Sequence, residues 1–136
     1  MKSPPIIVSL PIADRHKAFS FYATGLGLSP VGEPADDGVP EPLQFHLNDG
    51  LRLMLIPTGG FGRVVGNREV AQSCASECFI SITAGSESGV DELVWKAQQA
   101  GGRIVIHPSQ QPWGYAGVFT DLDGHAWQVT AAPPPD

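Results

Sequence analysis

Few residues in this chain combine a reactive type with a useful spacing. Glu77 opens the apolar run ECFISIT. Buried beside Met54 and Phe45, it would serve as a general base or hold a cationic ligand. A strand-start glutamate reaching solvent is the alternative. Arg52 suits a ligand carboxylate, or an acidic neighbour within the fold. Trp113 and Tyr115 precede a hairpin, where aromatic rings stack on flat ligands or simply pack. Cys74 and Cys78 have no second Cys or His cluster nearby, which argues against a zinc site. The four histidines form no constellation: His16 falls on an exposed helix side, His46 on the face opposite Met54, His107 at a strand end and His125 after a turn. Gly59-Gly60-Phe61-Gly62 lacks the Lys-Ser/Thr of a phosphate loop. No Ser-His-Asp order stands out.

The elements that must position these residues are short. Ile6, Val8, Leu10 and Ile12 alternate as a half-buried strand. Asp14 caps a helix carrying Ala18, Phe19 and Tyr22, and Gly25 is placed to end it. Strands follow over 28–32 and 42–48, and Asn48-Asp49-Gly50 predicts a hairpin into Leu51, Leu53 and Leu55. The order then repeats. A strand over 77–83 precedes a helix with Val90, Leu93, Val94 and Ala97 on one face. Ser88 and Asp91 make a capping box, and Gly101-Gly102 stops the helix. Strands over 103–107, 114–121 and 125–130 complete the half. Asp49-Gly50 and Asp123-Gly124 are 74 positions apart, which suggests two copies of one unit.

Turn geometry then predicts the faces. A two-residue turn at 49–50 pairs 45 with 54, so Phe45, Leu47, Arg52, Met54 and Ile56 share a side. A turn at 121–124 pairs 119 with 126, so Tyr115, Phe119, Ala126, Gln128 and Thr130 share another. Trp127 falls opposite Gln128, in the core. A slip of one residue reverses every assignment.

The chain has 136 residues with 16% charged and a formal net charge of −6. Roughly two-thirds of the unfolded surface is buried at this size, so no staples are needed. An acidic balance argues against nucleic acid and tilts toward a neutral or cationic small molecule. No apolar run approaches a membrane span, and no signal-peptide pattern is present, so a cytoplasmic protein is expected. The expected organisation is a module over 5–57, a linker over 58–76, a module over 77–131 and a disordered tail over 132–136.

LPIADRHKAFSFYATGLGL (10–28) and GYAGVFTDLDGHAWQV (114–129), with DGLRLMLIP and SGVDELVWKAQQAGG between them, resemble the vicinal oxygen chelate superfamily of glyoxalase I, bleomycin resistance proteins and extradiol dioxygenases. The resemblance implies an α+β fold of two β-α-β-β-β modules forming a curled mixed sheet around a cavity, commonly as a homodimer. Enzymes of the superfamily hold a divalent metal on His, Glu or Gln from four strands. Carried over by position, those places read Ile7, Met54, Glu77 and Gln128, of which only Glu77 is a good hard-metal ligand. The expectation is therefore no metal or other cofactor. It is a metal-independent small-molecule binding protein, with Phe45, Arg52, Met54, Glu77, Trp113, Tyr115 and Gln128 as ligand contacts. The alternatives are a glyoxalase-like lyase or isomerase using Glu77, and a non-catalytic interaction protein with a collapsed cavity.

Overall fold

Period-two alternation builds both halves of the molecule. The structure, a computed structural model, describes residues 3–133. The chain divides into two compact units, Met1–Ala71 and Gln72–Asp136. The first contains β1 (Ile6–Ile12), α1 (Arg15–Phe19), β2 (Ser29–Pro30), β3 (Leu43–Asn48), β4 (Leu51–Pro57) and α2 (Thr58–Val64). Its strands lie in the order β1-β4-β3-β2, with β1 parallel to β4 and the other pairs antiparallel. The second contains β5 (Phe79–Thr83), α3 (Glu87–Gln99), β6 (Arg103–Gln111), β7 (Gly114–Thr120) and β8 (Ala126–Thr130), in the order β5-β8-β7-β6. The architecture is α+β: two four-stranded mixed sheets, neither closed, each with its helices, as the expected two-module fold has it.

In the first unit Leu43, Phe45, Leu53 and Leu55 point to one side and are buried, together with Ile12, Ala18, Phe21 and Tyr22. Asp14 starts α1 by accepting from the Lys17 N–H at 3.0 Å, and that bond, against some desolvation, holds its carboxyl below the usual range. The helix widens into a π-helical turn over Ser20–Gly25. The wider turn lets adjacent Phe21 and Tyr22 both reach the core, in edge-to-face contact at 5.0 Å. The helical segment ends at Gly25 as expected, with Leu26 as its C-cap and Gly27 following at φ +75°. Arg15 ties the following loop to α1 through Asp37, Glu41 and the Val39 and Pro40 carbonyls. The start of the expected linker forms α2, which packs on β1 and β4.

In the second unit α3 covers one face of the sheet through Val90, Val94 and Ala97, against Phe119, Trp127 and Val129. Phe119 and Trp127 stack nearly parallel, 6.3 Å between ring centres. Gly117 lets α3 approach the sheet: a Cβ there would meet Val94 at 3.0 Å. The cap of α3 is Ser86, accepting from the Gly89 N–H at 3.0 Å, two residues before the expected Ser88. At the other end the Gly101 and Gly102 N–H groups bond the Gln98 and Ala97 carbonyls, a Schellman stop with Gly101 at φ +104°. No helix among the described residues is long and apolar enough to cross a membrane. Of the expected tail, residues 134–136 lie outside the described residues.

Candidate functional site

Each sheet has one face under its helices and one open face. Both hairpins are slipped by one residue from the expected register. In the first, Phe45 pairs with Leu53, Gln44 with Met54 and His46 with Arg52. The extra residue is Leu47, in a bulge between His46 and Asn48. Phe45 is therefore a core residue, fully buried, 6.0 Å from the Phe19 ring and 5.8 Å from Tyr22. His46, expected on the opposite side, shares the open face with Gln44, Arg52, Met54 and Ile56. The parallel pairing adds Ile7, Ser9 and Pro11 to that face. Gln44 keeps a buried Oε1 with no hydrogen-bond partner among the described residues.

The second hairpin pairs Val118 with Gln128, Phe119 with Trp127 and Thr120 with Ala126. Asp121 causes the shift. Its buried carboxylate accepts from the Asp123 and His125 N–H groups at 2.9 and 2.8 Å. These bonds make a turn one residue longer than the sequence pattern implies. Phe119 thus joins Trp127 in the core, as a correction, while Gln128 stays on the open face with Ala126 and Thr130. Tyr115 also leaves the Gln128 face. Its hydroxyl donates to Asp91 Oδ1 on α3 at 2.6 Å. That bond first, then desolvation and the charges of Asp91 and Glu87, pushes the phenol up to about 12.

The open face of the second sheet carries a connected polar group. The Trp113 indole N–H donates to Gln128 Oε1 at 2.9 Å, and Gln128 Nε2 donates to Ser81 Oγ at 3.0 Å. Ser81 sits beside Gln128 in the parallel β5–β8 register, and Phe79 beside Ala126. Phe79 and Trp113 are 60% and 64% exposed, so two large apolar surfaces flank the amide. A separate open groove of about 780 Å³, whose lining includes Cys74, Arg103, Val118, Thr120 and Ala126, does not include Phe79, Trp113 or Gln128. Trp113 and Gln128 are the two expected site residues that the structure joins directly. Arg52 and Met54 share a face in the first unit. Glu77 does not reach either face: it lies exposed in a bend before β5, which starts at Phe79. The burial on which a catalytic role for Glu77 depends is missing. Ser81 and Phe79 escaped the sequence reading because their relevance depends on the parallel register, which no turn announces.

Met54 and Gln128 stand 74 positions apart, as do Arg52 and Ala126. Ile7 pairs with Arg52, and Phe79 pairs with Ala126. The repeat of Ile7 is therefore Phe79, not Glu77. The positions read hydrocarbon at Ile7 and Phe79, a thioether at Met54, and at Gln128 an amide already bonded at both ends. Among the described residues no group of three or more His, Cys, Asp or Glu side chains could hold a metal ion. This donor set does not fit a catalytic divalent metal, which takes about three hard or imidazole ligands.

Comparison with known proteins agrees with this architecture. The chain is similar to hypothetical protein SA1046 from S. aureus, with 25% identity, 97% of this chain and 95% of that one covered, and a TM-score of 0.79. A glyoxalase-related enzyme from Fulvimarina pelagi matches at 25% identity over 95% of this chain and 87% of that one, with a TM-score of 0.77. TnmS3, an antibiotic binding protein from Streptomyces sp. CB03234, shares the fold at 21% identity, 95% coverage of both chains and a TM-score of 0.64. No curated protein matches the sequence. The family model for the Glyoxalase/Bleomycin resistance protein/Dioxygenase superfamily matches residues 7–129, and the chain belongs to that superfamily.

Proposed function

We propose that this protein binds an organic small molecule without a metal, in the manner of the antibiotic-binding members of its fold. The observation that carries the reading is the Trp113–Gln128–Ser81 chain beside exposed Phe79. A flat ligand would lie against Phe79 and Trp113, while the Gln128 amide, held from both sides, would orient a polar substituent. The fold likeness to the antibiotic-binding TnmS3 supports sequestration as the activity. The net charge of −6 favours a neutral or cationic aromatic compound at this face. The exposed free thiols Cys74 and Cys78 fit a reducing, cytoplasmic setting, and a homodimer accords with the family likeness.

The test is a thermal-shift panel of flat aromatic compounds with metal analysis on the same sample. At least one compound should raise the melting temperature saturably, as mass action requires, with chelator present or absent. Trp113→Ala and Gln128→Ala should each weaken that compound about tenfold or more. One tightly bound metal per chain, or full binding in both variants, would overturn the reading. Size-exclusion chromatography with light scattering checks the dimer.

A further inference from the structure

We propose that the open face of the first sheet is an oxyanion site, built by Arg52, His46 and Ser29 to hold a carboxylate or phosphate group. One row of the sheet runs Ile7, Arg52, His46, Ser29 across β1, β4, β3 and β2, each residue in register with the next. Adjacent strands are about 4.8 Å apart, and directly opposite Cβ atoms about 4.5–5.5 Å. The guanidinium, imidazole and hydroxyl therefore stand side by side within reach of one small anion. All three present donors, and an Arg fork matches a planar or tetrahedral oxyanion with two parallel bonds.

The setting supports this more than any single residue does. None of the four strands contains an Asp or Glu. Among the described residues Arg52 has no ion pair, whereas Arg15 in the same unit has two carboxylate partners. Arg52 is half-buried, while His46 and Ser29 are exposed, so the row is open to solvent. The acidic balance of the whole chain does not oppose the site. Exposed charges farther away than about 8–10 Å are screened at ordinary ionic strength, and the row acts at contact distance.

The row is argued from residues of the first unit alone, and the experiment distinguishes it from the ligand face proposed in the second unit. Amide and side-chain N–H signals are followed by NMR while sodium phosphate or sodium acetate replaces sodium chloride at constant ionic strength. Saturable shifts on β3 and β4, including the Arg52 side chain, are expected, with the Trp113 indole signal unmoved. Saturation with phosphate alone assigns a phosphate group. Saturation with acetate alone assigns a carboxylate, and saturation with both assigns a general oxyanion site. Arg52→Gln should weaken the effective anion about tenfold or more, and His46→Gln by a smaller factor. Both positions leave the core, so far-UV circular dichroism should be unchanged. Shifts no larger than chloride produces, or an unaltered titration in both variants, would overturn the proposal.

Discussion

Truncating Phe45 tests the hairpin register, on which both open faces depend. In the register of the structure Phe45 is fully buried between Phe19 and Tyr22, and Met54 faces out. In the register slipped by one, Phe45 pairs with Met54 and the two share one face. Burying a Phe side chain contributes about 1.5–3 kcal/mol, and each favourable ring pair about 0.5–1.5 kcal/mol more. Allowing for partial collapse of the cavity, Phe45→Ala should cost about 3–5 kcal/mol. Met54→Ala, half-buried on the open face, should cost about 1 kcal/mol. The assay is equilibrium urea denaturation followed by far-UV circular dichroism. Tryptophan fluorescence is the wrong probe, because Trp95, Trp113 and Trp127 all belong to the second unit. Equal losses, or a larger loss for Met54→Ala, would refute the register and with it the assignment of His46 and Arg52 to one face.

Further expectations follow from single groups. The Tyr115 phenol is raised from 10.0 to about 12, so its neutral form is favoured on folding. That stability is present below about pH 10 and is lost as pH rises toward 12. Asp91→Asn should return the phenol toward its ordinary value in an ultraviolet titration, and an unchanged titration would show the bond is absent. Burial pushes the Asp37 carboxyl up, but the Val39 N–H and Arg15 outweigh it and hold it low. Stability from Asp37 is then present above the ordinary carboxylate range and lost as pH falls through the lowered value. Asp37→Asn should flatten that part of the acid limb in urea melts, and an unaltered limb would assign the effect elsewhere. Gly124 has φ +88°, and a Cβ there would fall 2.0 Å from the Ser73 carbonyl oxygen. Gly124→Ala should cost more than about 1–2 kcal/mol, and a melting temperature equal to the parent's would contradict the contact.

The elements were legible because alternation and helical period are local. Ile6–Ile12, the α3 face and the hairpin positions follow from them directly, and so does the 74-residue repeat. The faces were not legible, because they depend on turn length. Leu47 bulges out of one ladder, and Asp121 draws two N–H groups into a longer turn. Neither event has a signal in the Asp-Gly pairs themselves. Each moves the register by one residue, enough to send Phe45 into the core and bring His46 out of it. Arg52, Met54 and Gln128 kept the expected side, because parity within one strand survives a slip of its partner. Glu77 takes the solvent-reaching alternative for a different reason. The run ECFISIT suits a strand throughout, but pairing with β8 begins only at Phe79.

The parallel pairing of β1 with β4 shapes how the protein can be made. Ile6 pairs with Leu51 and Phe79 with Ala126, so the opening strand of each unit waits some 45 residues for its neighbour. At about 5–20 residues per second of synthesis, that wait is roughly 2–9 s. During it the nascent chain carries the aliphatic segment Ile6–Ile12 with no ladder to join, an interval in which chaperone capture competes with association between neighbouring chains. The yield of protein in cells should therefore respond to translation speed between β1 and β4 more than to the final stability of the sheet.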